Sequence, residues 1–158
     1  MTDQPDLYPV PSEWAQRARM NAAGYEAARA AARENPDGFW GEQAVVEMWT
    51  RRAEFYLANP IMLSVRHSHP ALAALEATQL PQVAEYNRAA AERFMKTLDL
   101  HLAEREFMAL DRFTIADIVA VVGLDFARIV RYRPPEEFGN LARWLEGCRA
   151  RSAAKAGA

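Results

Sequence analysis

The chain has 158 residues, 51% of them hydrophobic and 25% charged, which is the size of one ordinary domain and the balance of a globular chain rather than a disordered one. Nineteen basic against 21 acidic side chains leave a net charge of −2, which argues against a generally basic nucleic-acid binder, and no apolar run approaches the ~20 residues of a membrane span. A lone cysteine, Cys148, excludes an internal disulfide and a Cys-rich zinc site, and the acidic start Met1-Thr-Asp-Gln-Pro-Asp is read as no secretory signal. The expectation is a cytoplasmic protein with no nucleic-acid or membrane partner.

Alternation of apolar and polar residues barely occurs, so the reading is all-α. Tyr8-Pro9-Val10-Pro11 is extended, and Ser12 is placed to cap a short helix through Met20. Asn21 is placed to cap a second, Ala-rich helix from Ala22 to about Glu34, closed by a turn at Pro36-Asp37-Gly38. A long helix follows from about Phe39 to Ala58, with Val45, Met48, Trp49, Phe55 and Tyr56 at helical spacing, until Asn59-Pro60 breaks or kinks it.

Ile61 to Arg66 continue beyond the kink, His67-Ser68-His69-Pro70 ends the helix, and Ala71 to Leu80 form a connection with room for a helical turn. Pro81 opens the next helix at its first position. Its apolar stripe is Val83, Tyr86, Ala90, Phe94, Leu98 and Leu102, with Glu85, Arg88, Glu92 and Lys96 outside. The last two helices run from Ile115 to Arg131 and from about Glu136 to Arg149, separated by Tyr132-Arg133-Pro134-Pro135.

The stretch from Phe113 to Ile118 carries two helix-start devices. Thr114 and Asp117 have the spacing of a capping box, and Phe113 and Ile118 that of a hydrophobic staple. The helix they open is apolar on nearly every side, which predicts a central, buried helix. These four residues are therefore read as structural rather than catalytic.

This capping box and staple on an apolar helix resembles the C-terminal helical domain of glutathione S-transferases. Val46-Glu47-Met48-Trp49-Thr50-Arg51-Arg52 resembles the start of that domain in bacterial members, as does the kinked helix through Pro60 to Pro70. Pro135-Glu136-Glu137-Phe138-Gly139-Asn140-Leu141-Ala142-Arg143-Trp144 matches the family's Pro-x-x-x-Asn-Leu-x-x-Trp helix, and Arg151 to Ala156 its closing Arg-Pro-Ser-x-Lys-Ala, with Ser152 where the family has proline. Leu110 stands where the family usually has glycine, before Asp111-Arg112-Phe113-Thr114. The resemblance covers about Val45 to Ala156.

Residues 1–44 lack the strands and the length of the family's thioredoxin-like, glutathione-binding domain. Tyr8-Pro9-Val10-Pro11-Ser12-Glu13-Trp14-Ala15, Tyr25 and Asn35 to Ala44 instead resemble the N-terminal cap of AMP-forming acetyl-CoA synthetases, without the adenylation motifs of those enzymes. The expected organisation is a helical leader over 1–44 and a glutathione S-transferase C-terminal-like bundle over 45–158.

The family resemblance implies that the kinked helix lines a co-substrate pocket with one face and meets a second subunit with the other. By that resemblance Met48, Arg52, Tyr56 and Asn59, spaced by fours and threes, are the pocket-lining candidates. No residue is assigned to activating glutathione, so the catalytic residues are unknown. No cofactor is expected, and glutathione enters as a co-substrate only where a complete site exists. The expected partner is a second copy or another protein. Two rival readings are a non-catalytic protein–protein interaction module and an accessory fragment related to acetyl-CoA synthetase.

Three other features are weighed and set aside. Cys148 shares a helical face with Leu141, Trp144 and Leu145, so a packed, inert thiol is preferred to one activated by Arg149 and Arg151. His67 and His69 have no third ligand nearby, which favours a loop over a metal site. Arg128, Arg131, Arg133, Arg143, Arg149, Arg151 and Lys155 are diluted by Glu136, Glu137 and Glu146, a mixed surface rather than an anion-binding patch.

Overall fold

The structure is a computed structural model and describes residues 9–155. Met1 to Tyr8 of the proposed leader and Ala156 of the closing motif lie outside them. The described residues are all-α, with no strand among them. The chain separates into two compact units, Met1–Gly41 and Glu42–Ala158.

In the first unit, α1 (Ser12–Arg17) follows Pro11, which occupies the capping position. Ser12 therefore lies inside the helix, and α1 ends at Arg17 rather than Met20. The second helix, α2 (Ala22–Glu34), is capped as expected: Asn21 Oδ1 accepts the Gly24 N–H at 2.9 Å. The expected turn at Pro36-Asp37-Gly38 is instead the start of α3 (Pro36–Ala53). Asn35 Oδ1 accepts the Gly38 N–H at 3.0 Å, and Pro36 sits where its missing N–H is harmless. Cap chemistry outweighs the turn signal here.

Asn59-Pro60 does not break the long helix. It passes through one π-turn, Glu54–Ala58, into α4 (Asn59–Arg66). Proline has no N–H to give the preceding turn, and the wider i→i+5 winding, with Asn59 N–H bonded to the Glu54 carbonyl, absorbs the misfit. A 3₁₀ turn over Pro70–Leu75 leads to α5 (Pro81–His101), which Pro81 opens as its first residue. Its buried face is Ala84, Ala91, Phe94, Met95 and Leu98, so the first half of the expected stripe is misplaced and Tyr86 is 69% exposed. Glu92, expected outside, is part-buried and accepts from Tyr132 Oη at 2.9 Å.

Helix α6 (Ile115–Phe126) runs on as a 3₁₀ turn to Val130, and Arg131 closes it in the left-handed conformation at φ 57°. Its placement corrects one expectation. Ala116, Asp117, Ala120, Gly123, Leu124 and Ala127 face the core, whereas Ile115, Ile118, Val122, Phe126 and Ile129 are between 37% and 61% exposed. The helix is apolar all round, but the side with small residues is the buried one. Small residues let backbones approach closely: a Cβ on Gly123 would lie 3.0 Å from both Cα and Cβ of Ala58 in the π-turn. The turn through Leu110 needs no glycine, because Arg131 is the positive-φ residue among the described ones.

Helix α7 (Gly139–Arg149) begins three residues later than the sequence suggests. It exchanges caps with α5. Asp99 of α5 accepts the Leu141 N–H at 2.9 Å at the start of α7, while Arg143 of α7 donates to the Leu102 carbonyl at the end of α5. The core of the second unit, around Leu57, Ile61, Met95, Leu98, Leu102, Met108, Leu124 and Leu141, joins α4 to α7 and the π-turn.

Candidate functional site

The outer faces of α3, the π-turn and α5 enclose an open groove of about 750 Å³. Met48, Arg52, Phe55, Tyr56 and Pro60 line it from one side, and Ala90, Arg93, Phe94 and Thr97 from the other. Three of the four sequence-selected pocket residues, Met48, Arg52 and Tyr56, are thus brought together. Asn59 is exposed and lies outside the lining.

Local geometry explains the groove. The π-turn adds a residue to one helical turn and presents Phe55 and Tyr56 outward, 62% and 57% exposed. Ala90, with Ala89 beside it, leaves a trough on the facing helix. The Tyr56 and Phe94 rings lie 5.8 Å apart. The Arg52 guanidinium rests 4.5 Å from the Trp49 ring centroid and 6.0 Å from that of Phe94, a cation–π seat that fixes its plane. Behind Trp49 the His101 ring stacks at 4.0 Å, and one of its nitrogens meets the Met108 carbonyl at 2.8 Å. Burial, then the nearby charges of Arg105 and Arg52, holds His101 below its ordinary pKa against the opposing pull of that carbonyl. Arg93 and Thr97 were not legible as site residues, since only the pairing of α5 with α3 brings them to the groove.

Thr114 and Asp117 stand together as a capping box, with Asp117 wholly buried. Its Oδ2 accepts from the Thr114 N–H at 2.9 Å and the Thr114 hydroxyl at 3.0 Å. Its Oδ1 accepts from the Met108 N–H and the Trp144 indole N–H, both at 3.0 Å. Four donors replace the water that burial removes, so this carboxylate is an organising centre for three segments. The staple is looser: Phe113 packs near Phe107 at 6.0 Å with Arg151 4.0 Å over its ring, while Ile118 stays 43% exposed.

The remaining candidates have structural roles. Cys148 is buried, and loss of solvation, reinforced by Asp117, pushes its thiol up to about 12 despite Arg151. His67 Nδ1 accepts the Leu80 N–H and His69 Nδ1 the Ala71 N–H, both at 3.2 Å, so both imidazoles tie down their own loop. No group of three or more His, Cys, Asp or Glu suited to a metal occurs among the described residues. Arg143 and Arg149 are engaged by a carbonyl and by Asp125, and Arg151 by Phe113, which disperses the basic C-terminal third. No helix among the described residues is long and apolar enough to cross a membrane.

Comparison with known proteins accords with this architecture. Residues 57–152 match the family model described as glutathione S-transferase, C-terminal domain. The chain belongs to the glutathione S-transferase family through that domain. It is 34% identical over 115 residues to glutathione S-transferase 2 of Saccharomyces cerevisiae, covering 72% of this chain and 49% of that protein. The crystal structure of a glutathione S-transferase domain-containing protein from Marinobacter aquaeolei superposes with a TM-score of 0.67 at 36% identity, covering 72% of this chain and 56% of that one. The chain therefore spans about half the length of these relatives. A shorter likeness, 44% over 43 residues, links 27% of the chain to 7% of an acetyl-coenzyme A synthetase from Bradyrhizobium.

Proposed function

We propose that this chain provides the co-substrate-binding and subunit-contacting helical half of a glutathione S-transferase-type protein, and that activation of glutathione requires an α/β domain outside the described residues. The observation that carries the reading is the groove of Met48, Arg52, Phe55, Tyr56 and Phe94, an apolar trough open enough for a small aromatic molecule. Cys148 is no candidate for the activating group, since it is buried and its thiol is pushed up to about 12. The chain alone should bind electrophilic aromatic compounds yet show no conjugation of glutathione to them. Saturable turnover that survives repurification would overturn this.

A second reading, a protein–protein interaction module, is favoured by the exposed apolar face of α6. Ile115, Ile118, Val122, Phe126 and Ile129 form one stripe of large side chains in solvent, the kind of surface that association buries. Self-association or partner binding at micromolar concentration is the expected outcome. Sedimentation equilibrium that gives a clean monomer at high concentration, with no binding of a hydrophobic dye, would dismiss it. The likeness to acetyl-coenzyme A synthetase is too short to transfer an activity.

A further inference from the structure

Helix α6 carries more large apolar surface than the core of its own unit uses. That core takes the small residues Ala116, Ala120 and Gly123, and the stripe of Ile115, Ile118, Val122, Phe126 and Ile129 stays in solvent. The steps along this stripe are three, four, four and three residues, an order that is the same from either end, with Val122 at the middle. No charged side chain interrupts it, since Asp125 at its edge is held by the Arg149 guanidinium at 3.0 Å. The two ends differ in charge. Before the N-terminal end stands the exposed Asp111, and its neighbour Arg112 is offset by Glu42 at 3.1 Å. At the C-terminal end, where the 3₁₀ turn closes at Arg131, both Arg131 and Arg133 are exposed.

A face with the same spacing in both directions is complementary to itself under a two-fold axis, where every contact occurs twice. Resting on the reading of the chain as an interaction module, we infer that the α6 face binds a second copy of this chain, packed antiparallel with Val122 on the two-fold axis. Ile115 then meets the partner's Ile129, and Ile118 meets the partner's Phe126, so every large side chain of the stripe gains an apolar counterpart. Steps of three and four residues are those of a seam between two helices. The antiparallel sense also sets the Asp111 end beside the arginines of the partner's other end and opposes the two helix dipoles, whereas a parallel pair sets arginines against arginines. With its rim the contact covers on the order of 1,000 Å² over both copies, the low end of specific interfaces, which suits a micromolar dimer rather than an obligate one.

The test joins sedimentation equilibrium of the full chain with cysteine crosslinking. The wild type should dimerise at micromolar concentration, and Val122→Glu, at a position 61% exposed and so not needed for folding, should weaken the dimer at least tenfold with an unchanged circular dichroism spectrum. For crosslinking with a short bismaleimide at pH 7, the wild type with its buried Cys148 is the unreactive control. Val122→Cys should link to itself. Ile115→Cys and Ile129→Cys should each link poorly alone, because two copies of Ile115 lie about 21 Å apart along antiparallel axes at ~1.5 Å per residue, yet link to each other when mixed. Self-linking of Ile115→Cys as efficient as that of Val122→Cys would overturn the antiparallel register. A dimer that persists in Val122→Glu, or that none of the cysteines captures, would overturn the assignment to α6. A monomer that binds a hydrophobic dye would overturn the second copy and leave the face to a different protein. A monomer that binds no dye would overturn the interaction module as well.

Discussion

Replacing Asp117 by alanine removes the acceptor of four hydrogen bonds at once. Three of the donors are fixed N–H groups, of Thr114, Met108 and Trp144, all buried; the fourth, the Thr114 hydroxyl, is free to rotate to another acceptor. A buried N–H left unsatisfied costs about 1–3 kcal/mol, so three of them, with some relaxation, give about 3–6 kcal/mol. Loss of an ordinary helix cap alone would cost only about 1 kcal/mol. The larger figure is a substantial part of the roughly 5–15 kcal/mol that holds a domain together. Guanidinium denaturation followed by far-ultraviolet circular dichroism provides the comparison. Trp144→Phe, which withdraws one donor and leaves the carboxylate three, should lose about 1 kcal/mol. Asp117→Asn should fall between the two, because its amide keeps one accepting oxygen and turns an NH₂ toward the other pair of donors. The double variant should be non-additive by at least ~0.5 kcal/mol, since the two groups share one bond. An Asp117→Ala loss no larger than that of Trp144→Phe would refute the network.

Three further outcomes are expected. Gly123→Ala should destabilise by about 1–3 kcal/mol in the same denaturation assay, because its Cβ meets backbone and Cβ of Ala58 at 3.0 Å; a change within ~0.3 kcal/mol would show that α6 does not lie against the π-turn. His101 is held below its ordinary pKa when folded, so the unfolded chain binds the proton first and stability is lost as pH falls through the ordinary histidine range. Wild type should accordingly lose more stability between pH 7.5 and 5.5 than His101→Gln, and equal losses would contradict the burial argument. Cys148 should not react with Ellman's reagent at pH 8 in the native protein and should react fully in denaturant.

Features fixed within a few residues were legible from the chain alone: the Asn21 cap, the proline start of α5, the Thr114–Asp117 pair and the long helices. Those that depend on a distant partner were not. The spacing of Thr114 and Asp117 suggested one reciprocal cap, but Met108 and Trp144 reach the same carboxylate only because α7 and the loop before α6 fold over it. Helix α6 misled because its large apolar residues suggest the buried side, whereas close packing selects by size: Ala116, Ala120 and Gly123 go in, Ile115 and Val122 stay out. Tyr86 and Ala84 on α5 were confused for a similar reason, a small residue occupying the buried register beside a large exposed one. For the groove, helical spacing brought Met48, Arg52 and Tyr56 onto one face, while its limit short of Asn59 reflects the π-turn, which shifts the face by one residue.

The central claim is that the groove between α3 and α5 receives an aromatic co-substrate. Methionine methyl groups labelled with ¹³C report on it directly, because Met48 lines the groove while Met108 is wholly buried elsewhere in the core. Titration with 1-chloro-2,4-dinitrobenzene, without glutathione, should move the Met48 methyl resonance saturably and leave that of Met108 in place. A Met48 signal that stays fixed to millimolar ligand, or saturable shifts confined to other methyls, would contradict the account.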